Sequence, residues 1–556
     1  MSSKLFTPVK IGPVEIRNRT IRSAAFENMC VANGPSQKLF DYHTAVARGG
    51  IGMTTIAYAS INQSGLSFEG QLWMREEVVD ELKKLTDAIH ETGAKASIQV
   101  GHCGNMTHRR TCGQTPLGAS GGFNIYSPTF VRSMTVAQID QFVEDFVKAV
   151  RLVKESGFDC VELHCGHGYL LSQFLSPYTN HRKDEYGGSL ENRMRFMNRV
   201  ITAVREVCTE LGLGLIVKVN MNDGFKGGMQ RQECLEVCKQ LEKLGVDALV
   251  LTAGFVSRAP MEVMRGNMPL KTLAYYMDMK QFWWLKLGLK CVGGFMIPPV
   301  PYKDGYFLEE AKLFRKELKL PLIYVGGCCS RKIIDEVLDA GFDAVQMARA
   351  LVHDTDFVNK LRDGDENTRS GCNHSNYCVG RMYSCDMKCH CKCDDELPPK
   401  LKKEIAKPEG KREDTIIRYS LREDEVRGNS FIHVSDYDKM EVVVISLVED
   451  YDSSEDPLVG LLSVLLSSSM ALERRKEILG SRYGIAMDKE LEEEVIEMCN
   501  LSKAVEDIGR RKGLREGFLM SLFQLVDEGD LTLEKAAKKA GMTIEDFLEK
   551  KREYNK

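Results

Sequence analysis

Short apolar runs rich in β-branched residues alternate with amphipathic segments over the first 363 residues of the chain. This alternation predicts repeated strand–helix units, of which we count eight. The predicted strands lie at 20–25, 51–58, 96–101, 160–164, 215–220, 248–253, 322–325 and 344–348. The clearest helical patterns lie at 136–155, 190–211 and 332–340.

Near-continuous apolar strands separated by helices indicate a parallel sheet that is buried on both faces. Eight such units in roughly 350 residues predict an α/β fold of the (β/α)8 or TIM-barrel type. A doubly wound sheet is the alternative, and it is less favoured because no strand leads into a G-x-G-x-x-G turn. Residues 255–303 form an insertion that we interpret as a cap over the mouth of the barrel, and its aromatic residues are Tyr275, Tyr276, Phe282, Trp283 and Trp284.

The chain changes character after the eighth unit. We place the barrel at 1–365, a cysteine-rich segment at 366–393 and a charged, proline-bearing linker at 394–411. Residues 412–556 are expected to form a mainly α-helical C-terminal region. Within it, a strand is predicted at 440–447 and two short helices between 532 and 551.

Composition narrows the classes of function. A formal net charge of -4 and a pI near 6.3 give no basic surface for nucleic acid or an anionic membrane. No apolar run approaches the roughly 20 residues of a membrane helix, and the first residues lack a signal-peptide pattern. We therefore expect a cytoplasmic protein, free or as a homo-oligomer, that acts on a small molecule. Its 18 cysteines are expected to be reduced core residues or metal ligands.

Catalytic groups of a parallel barrel lie at the carboxyl ends of its strands. The polar and glycine positions there are Gln99, His102, His164, His167, Tyr169, Lys218, Asn220, Gly326, Gly327 and Arg349. The pair Gly326-Gly327, together with Ala348-Arg349, falls where barrels often bind phosphate through backbone N–H groups and a cation. A simple tight turn explains two adjacent glycines equally well.

His164, His167 and Tyr169 leave the fourth strand together. They offer two donors for an anionic oxygen and one phenol that can deliver a proton. A zinc pair is the alternative, and it is disfavoured because the sequence places no third histidine or carboxylate ligand at another strand end. Structural burial with backbone partners would explain one such histidine better than two flanked by glycines.

The thirty residues at 164–193, HCGHGYLLSQFLSPYTNHRKDEYGGSLENR, resemble the hallmark of the Old Yellow Enzyme family of FMN-dependent ene reductases. The resemblance extends over about residues 4–393 and includes Leu5-Phe-Thr-Pro and Asn18-Arg19 before the first strand. It is greatest to the branch of NADH:flavin oxidoreductases that contains 2,4-dienoyl-CoA reductase and bacterial enoate reductases.

The resemblance implies a set of FMN contacts. Lys218 would lie beside flavin N1, where a cation stabilises the anionic reduced flavin. Backbone, pyrimidine-edge and phosphate contacts would come from Ala24, Ala25, Phe26, Ala59, Gln99, Gly326, Gly327, Ala348 and Arg349. The sequence Ala24-Ala25-Phe26 departs from the family's usual proline and small or sulfur-bearing residue, so a Thr or Cys that tunes the flavin potential is absent.

The resemblance also implies a mechanism. His164 and His167 would hydrogen-bond the carbonyl oxygen of an α,β-unsaturated substrate, and flavin N5 would deliver hydride to the β-carbon. Tyr169 would donate the proton at the α-carbon, and NAD(P)H would reduce the flavin.

Six cysteines lie between residues 372 and 393. Relatives of the dienoyl-CoA reductase type hold a [4Fe-4S] cluster with four cysteines after the barrel. Cys372, Cys378 and Cys389 match that spacing, whereas Ser375 occupies the second position. Zinc binding through Cys389-His390-Cys391-Lys392-Cys393 is the alternative. The family's C-terminal domain for FAD and NAD(P)H has no counterpart in residues 412–556.

The region after residue 412 resembles the C-terminal part of PD-(D/E)xK nuclease-family transposases, notably at 492–501 and 531–547. It lacks the acidic residue and E-x-K strand that would hold magnesium, so a helical bundle without activity is the favoured interpretation. A catalytically impaired chimeric protein with a mobile-element-derived interaction tail is therefore the alternative to the ene reductase. A metal-dependent barrel hydrolase is a third class.

Overall fold

The computed structural model describes residues 4–406 except 125–126, 128, 277–296 and 394–396, and beyond them 416–420, 441–445, 472–483 and a few single positions. The chain divides into two compact units, Met1–Glu409 and Gly410–Lys556. Each unit is described separately below. The predicted aromatic residues Phe282, Trp283 and Trp284 and most of the predicted helices at 532–551 lie outside the described residues.

The first unit contains a closed barrel of eight parallel strands. The strands are β1 (Thr20–Arg22), β2 (Met53–Ser60), β3 (Lys95–Gly101), β4 (Cys160–Cys165), β5 (Gly214–Asn220), β6 (Ala248–Thr252), β7 (Leu322–Val325) and β8 (Ala344–Met347). Each strand pairs with its neighbours in sequence, and β8 pairs with β1 to close the barrel. The predicted TIM barrel and its eight strand positions are thus confirmed.

Helices surround the barrel. They are α1 (Gln37–Arg48), α2 (Val79–His90), α3 (Val136–Glu155), α4 (Leu190–Leu211), α5 (Arg231–Lys243), α6 (Leu308–Glu317), α7 (Arg331–Asp339), α8 (Arg349–His353) and α9 (Phe357–Asp363). Side-chain caps explain several starts: Thr135 and Gln138 form a capping box on α3, and Ser189 and Ser330 cap α4 and α7.

Shorter elements decorate the barrel. A hairpin of Val9–Ile11 and Val14–Ile16 precedes β1, and a small sheet of Leu117–Gly118, Gly122–Asn124 and Thr129–Ser133 follows β3. Further short helices are Arg109–Cys112, Leu170–Leu175, Pro260–Met264, Leu270–Tyr276, Tyr377–Arg381 and Pro399–Ala406. Single 3-10 turns lie at Lys4–Phe6, Gln63–Gly65, Glu76–Val78, Met382–Ser384 and His390–Lys392.

The barrel interior changes from apolar to polar towards the carboxyl ends of the strands. Alternate residues face inward, so a two-residue step along a strand moves one layer up the interior. The lower layer packs against the N-terminal hairpin and contains Ile21, Met53, Cys160, Ile216, Ala248, Ile323 and Ala344. Two residues further on, the inward positions include Ser23, Glu162, Lys218 and Gln346, which are buried and polar. The strand period therefore places the polar groups at one mouth.

The predicted linker at 394–411 contains the helix Pro399–Ala406. Leu401 and Ile405, four residues apart and on one helical face, are buried with Tyr377. The Glu404 carboxylate accepts hydrogen bonds from the backbone N–H groups of Lys271 and Thr272. This part of the segment therefore packs onto the first unit.

In the second unit, Ile416–Ser420 pairs antiparallel with Glu441–Ile445, which is the strand predicted at 440–447. Leu472–Tyr483 forms a helix.

Across the described ranges, no helix combines the length and apolar character that crossing a membrane requires.

Candidate active site

Three predicted side chains meet at the carboxyl end of β4. The His164 ring lies 5.2 Å from that of His167 and 4.6 Å from that of Tyr169, centroid to centroid. His167 adopts a positive φ of 58°, and its backbone N–H donates to Asn220 Oδ1 at 3.0 Å. The His167 Nε2 lies 2.8 Å from Thr252 Oγ1. Contacts from β5 and β6 thus fix the orientation of this loop.

Both imidazoles are neutral at physiological pH. Burial lowers the pKa of His164 well below its ordinary value, and electrostatic interactions with His167 and Lys218 lower it further. Burial, followed by Lys218, lowers the pKa of His167 to about 3. The Gly166 N–H lies 3.4 Å from His164 Nδ1, which makes Nδ1 an acceptor and leaves the proton on Nε2. His164 can therefore donate one hydrogen bond through Nε2.

The Tyr169 phenol keeps its proton as well. Burial is the largest cause that raises its pKa, and the nearby Cys103 and Tyr383 raise it further. The Tyr58 ring lies 5.2 Å from the Tyr169 ring, and its hydroxyl donates to Ser67 Oγ at 2.8 Å. Tyr169 is thus the proton-bearing phenol beside the two histidines, whereas the Tyr58 hydroxyl is held by a neighbouring loop.

Glu162 binds three donors beneath the histidines. Its carboxylate accepts from Gln99 Nε2 at 2.6 Å, from Lys218 Nζ at 3.0 Å and from Gln346 Nε2 at 2.8 Å. Burial lowers the pKa of Lys218, and the Glu162 carboxylate opposes that shift. The structure therefore brings the predicted residues Gln99 and Lys218 together in one network.

The predicted backbone contacts lie on the loop after β1 and at the end of β2. Arg22 Nη2 donates to the Ala25 carbonyl at 2.9 Å, and the Ala25 N–H donates to the Ser23 carbonyl at 2.6 Å. Ala24 lies between these two anchored residues. The Phe26 ring lies 5.5 Å from that of Tyr58. Ala59 is fully buried in β2, next to Tyr58.

The surroundings of Gly326 and Gly327, which follow β7, leave no room for a side chain. Gly327 has a φ of +73°, and a Cβ there would lie 2.7 Å from the Gly305 backbone nitrogen. Gly326 also has a positive φ, and its carbonyl accepts from the Tyr324 hydroxyl at 2.8 Å. These two residues follow β7, and Ala348 follows the adjacent strand β8.

The Arg349 side chain contacts the cysteine-rich segment. Its Nη1 donates to Asn376 Oδ1 at 2.6 Å, and its guanidinium lies 5.5 Å from the Tyr302 ring centroid. Arg349 also lines a cavity beside the cysteine-rich segment. The phosphate contact of the Arg349 side chain stays a prediction.

The same cavity is lined by Cys372, Cys378 and Cys389, with Ser375 among them. The structure therefore brings together the three cysteines predicted to bind iron–sulfur. A [4Fe-4S] cluster needs one thiolate for each iron, and this set is one thiolate short. The residues present do not fit the cluster, so we derive no electron transfer through it.

Sequence reasoning missed several residues of this site. Glu162 and Gln346 lie two residues before predicted strand-end positions, and the period of two could have found them. Tyr383 comes from the cysteine-rich segment, and its ring lies 5.2 Å from that of Phe68. The Asn28 amide donates to the Met382 carbonyl at 3.0 Å, which ties that segment to the loop after β1. No local sequence signal indicated that long-range contact.

A cation, a primary amide, two neutral imidazoles and a protonated phenol thus share one barrel mouth. The family model described as the NADH:flavin oxidoreductase / NADH oxidase family matches residues 4–288, just over half of the chain. The chain belongs to this family. It is therefore an FMN-dependent oxidoreductase that uses NAD(P)H.

Curated relatives of this oxidoreductase have several reductive activities. A 4,4'-dithiodibutanoate disulfide reductase from Rhodococcus erythropolis is 37% identical over 382 residues, which is 68% of this chain and 93% of the relative. An NADH oxidase from Thermoanaerobacter brockii is 28% identical over 393 residues, or 70% of this chain. A metal reductase from Desulforamulus reducens is 29% identical over 386 residues, or 68% of this chain. The match spans 55% and 52% of these last two relatives.

Solved structures show the same fold. A 2-naphthoyl-CoA reductase in complex with 2-naphthoyl-CoA superposes with a TM-score of 0.59 at 24% identity, over 72% of this chain and 58% of that one. An Old Yellow Enzyme homologue from Zymomonas mobilis gives a TM-score of 0.52 at 21% identity, over 67% of this chain and 96% of that one.

Proposed function

We propose that this oxidoreductase reduces the activated C=C bond of an α,β-unsaturated carbonyl or enoate compound, with NAD(P)H as the source of electrons. The observation that carries the proposal is the group of two neutral imidazoles and one protonated phenol at the end of β4. Reduction of such an alkene needs hydrogen-bond donors for the substrate carbonyl oxygen. It also needs an acid that gives a proton to the α-carbon.

The donor set supports FMN in the same mouth. Gln99 offers a primary amide to the carbonyl and imide groups of a flavin ring, and Lys218 offers a cation. The positive-φ pair Gly326-Gly327 leaves backbone free of side chains just after β7, the neighbour of β8, where a phosphate would lie. Ala24, Ala25, Phe26 and Ala59 would supply backbone from the loop after β1 and from β2, which follow β8 around the barrel.

When bound, FMN supplies the hydride for the alkene. The protein residues then have separate tasks. His164 Nε2 donates to the substrate oxygen, and His167, held by Thr252 and Asn220, lies beside it. The hydrogen bond from His164 strengthens as negative charge grows on that oxygen. Tyr169 holds the proton that the α-carbon receives.

The test separates the two half-reactions of the enzyme. Tyr169→Phe should leave flavin reduction by NAD(P)H unchanged and slow reoxidation by an enone about 100-fold or more. Tyr58→Phe is the matched control, because the Tyr58 hydroxyl is bound to Ser67. Reoxidation at the wild-type rate in Tyr169→Phe would show that this phenol is not the proton donor.

Disulfide reduction is a second candidate, because the relative that is 37% identical is named a 4,4'-dithiodibutanoate disulfide reductase. Reduction of a disulfide breaks one S–S bond with two electrons and two protons and forms no C–H bond. Thiolate leaving groups are weakly basic, so reoxidation by a disulfide should tolerate Tyr169→Phe. Rapid reoxidation of the reduced enzyme by 4,4'-dithiodibutanoate but by none of a panel of enones and enoates would favour this candidate.

A further inference from the structure

Three metal-ligating side chains converge where α8 meets the cysteine-rich segment. His353 is the last residue of α8, and Cys389 and Cys391 flank His390. One ligand atom from each of His353, Cys389 and Cys391 lies within 4.8 Å of the other two. His353 Nδ1 lies 3.4 Å from Cys389 Sγ. We call these three residues the His/Cys/Cys group.

The spacing of this group fits one tetrahedral ion. Zinc binds sulfur at about 2.3 Å and imidazole nitrogen at about 2.0–2.1 Å, so neighbouring N and S ligands lie about 3.5 Å apart and two S ligands about 3.8 Å. The His353–Cys389 distance already matches the first value. Cys391 is exposed, so its side chain can rotate by the remaining distance at little cost. A hydrogen bond between the Cys389 thiol and the His353 imidazole would explain why these two residues are close. It would not explain why Cys391 is near them.

The imidazole of His353 is held with its Nδ1 towards Cys389. A Cβ on Gly371 would lie 2.6 Å from His353 Nε2, so the bare backbone of Gly371 packs against that side of the ring. Only glycine fits there without displacing the imidazole. Such support on the far side of a ligand ring fixes the orientation that a metal site needs.

His390 is the competing imidazole, and its geometry is worse. Its Nε2 lies 3.3 Å from Cys391 Sγ, whereas its Nδ1 lies 3.8 Å from Cys389 Sγ. The two cysteines therefore approach different nitrogens of His390, and a single ion uses only one nitrogen of a ring. His353 Nδ1 lies 3.4 Å from Cys389 Sγ, and one ring nitrogen of His353 lies within 4.8 Å of both sulfur atoms.

The ligand count distinguishes zinc from an iron–sulfur cluster. The cluster would use Cys372, Cys378 and Cys389 and would lack a thiolate at Ser375. It would leave His353 and Cys391 without a role. A mononuclear zinc ion binds to four protein ligands, or to three with a water molecule in the fourth position. Thiolate and imidazole together suit zinc among the common divalent ions.

We propose that His353, Cys389 and Cys391 bind one Zn²⁺ ion, with the fourth position open to water. Binding displaces one proton from each of the two thiols and leaves the imidazole neutral. The ion would join the end of α8, the helix that Arg349 begins, to the segment that carries Tyr383 to the barrel mouth. The sequence alone had pointed to His390 for this role, and the structure assigns it to His353.

The test is the metal content of the full-length protein. The wild type is purified without chelator, supplied with zinc sulfate, and passed through gel filtration before zinc, iron and acid-labile sulfide are measured. We expect one zinc per chain in the wild type, and a loss of at least 80% of it in His353→Gln and in Cys391→Ser. His390→Gln and Cys385→Ser are the matched controls and should retain it. Cobalt substitution of the wild type should give the intense visible bands of a tetrahedral thiolate site, and Cys391→Ser should weaken them.

Each other outcome overturns the proposal. Zinc below half an equivalent in the wild type, or full zinc in Cys391→Ser, shows that the group does not bind the ion. Four irons and four sulfides per chain that survive Cys391→Ser and disappear in Cys372→Ser would show an iron–sulfur cluster instead. Cys391 is exposed, so its variant should fold even if His353→Gln does not, and circular dichroism checks both. The flavin spectrum is independent of this result.

Discussion

Removal of the Glu162 charge should strongly destabilise the barrel. The Glu162 and Lys218 side chains are almost inaccessible to solvent, at 0% and 3% exposure, and their charged atoms lie 3.0 Å apart. Glu162→Gln keeps the shape and one acceptor oxygen, but it leaves a buried ammonium without a counter-charge. It also turns an NH2 group towards Gln99 or Gln346, whose amides both donate to Glu162.

Breaking one partner of a buried ion pair typically costs about 3–5 kcal/mol in the free energy of unfolding. That is a large part of the about 5–15 kcal/mol that stabilises an ordinary domain. We therefore expect Glu162→Gln to lower the urea midpoint sharply, as followed by far-ultraviolet circular dichroism in the absence of added FMN. Glu210→Gln is the control, because its pair with Arg151 is exposed, and it should leave the midpoint unchanged.

A double-mutant cycle isolates the pair itself. Lys218→Met should also destabilise the protein, because it leaves the Glu162 carboxylate buried without its cation. The double variant Glu162→Gln/Lys218→Met removes both charges and should be more stable than the sum of the single effects by at least about 1 kcal/mol. Strictly additive losses, or a Glu162→Gln loss below about 1 kcal/mol, would refute the buried network.

Two further predictions follow from the site. The pKa of His167 is lowered from 6.5 to about 3, so its stabilising effect is complete above pH 6.5 and is lost as the pH falls towards 3. When the pH is lowered to 5, the free energy of urea unfolding should therefore fall by about 2 kcal/mol less in His167→Gln than in the wild type. An equal pH dependence of the two proteins would contradict the neutral imidazole. Gly327→Ala should lower the melting temperature much more than Gly188→Ala. Both glycines have positive φ, but a Cβ at Gly188 meets nothing within 4 Å. Equal losses in a thermal melt would contradict the close approach of Gly327 to Gly305.

The strands were predictable because their apolar runs and period fix both the fold and the mouth to which the strand ends point. The period of two also leads from His164 to Glu162, which lies two residues earlier in β4 and faces the barrel interior in the same way. The helix Pro399–Ala406 carries its own signal in Leu401 and Ile405, but the surrounding charge obscured it. These features depend on local sequence.

Contacts between distant segments were not predictable. His353 lies 36 residues before Cys389, and no spacing rule connects them. Tyr383 approaches the barrel mouth because the cysteine-rich segment folds back onto the loop after β1, where Asn28 binds it. The direction of Arg349 towards Asn376 likewise depends on that segment. Local pattern gives the positions of the strand ends, and tertiary packing decides which other residues reach them.

The visible absorption spectrum of the purified full-length protein tests the central claim most directly. We predict a yellow protein whose flavin bands bleach under anaerobic conditions on addition of NADH or NADPH and return on addition of an enone or enoate. A colourless protein that binds no added FMN would contradict the account and would favour a catalytically impaired barrel. Bleaching without reoxidation by any activated alkene would retain the flavin site and refute the proposed reaction.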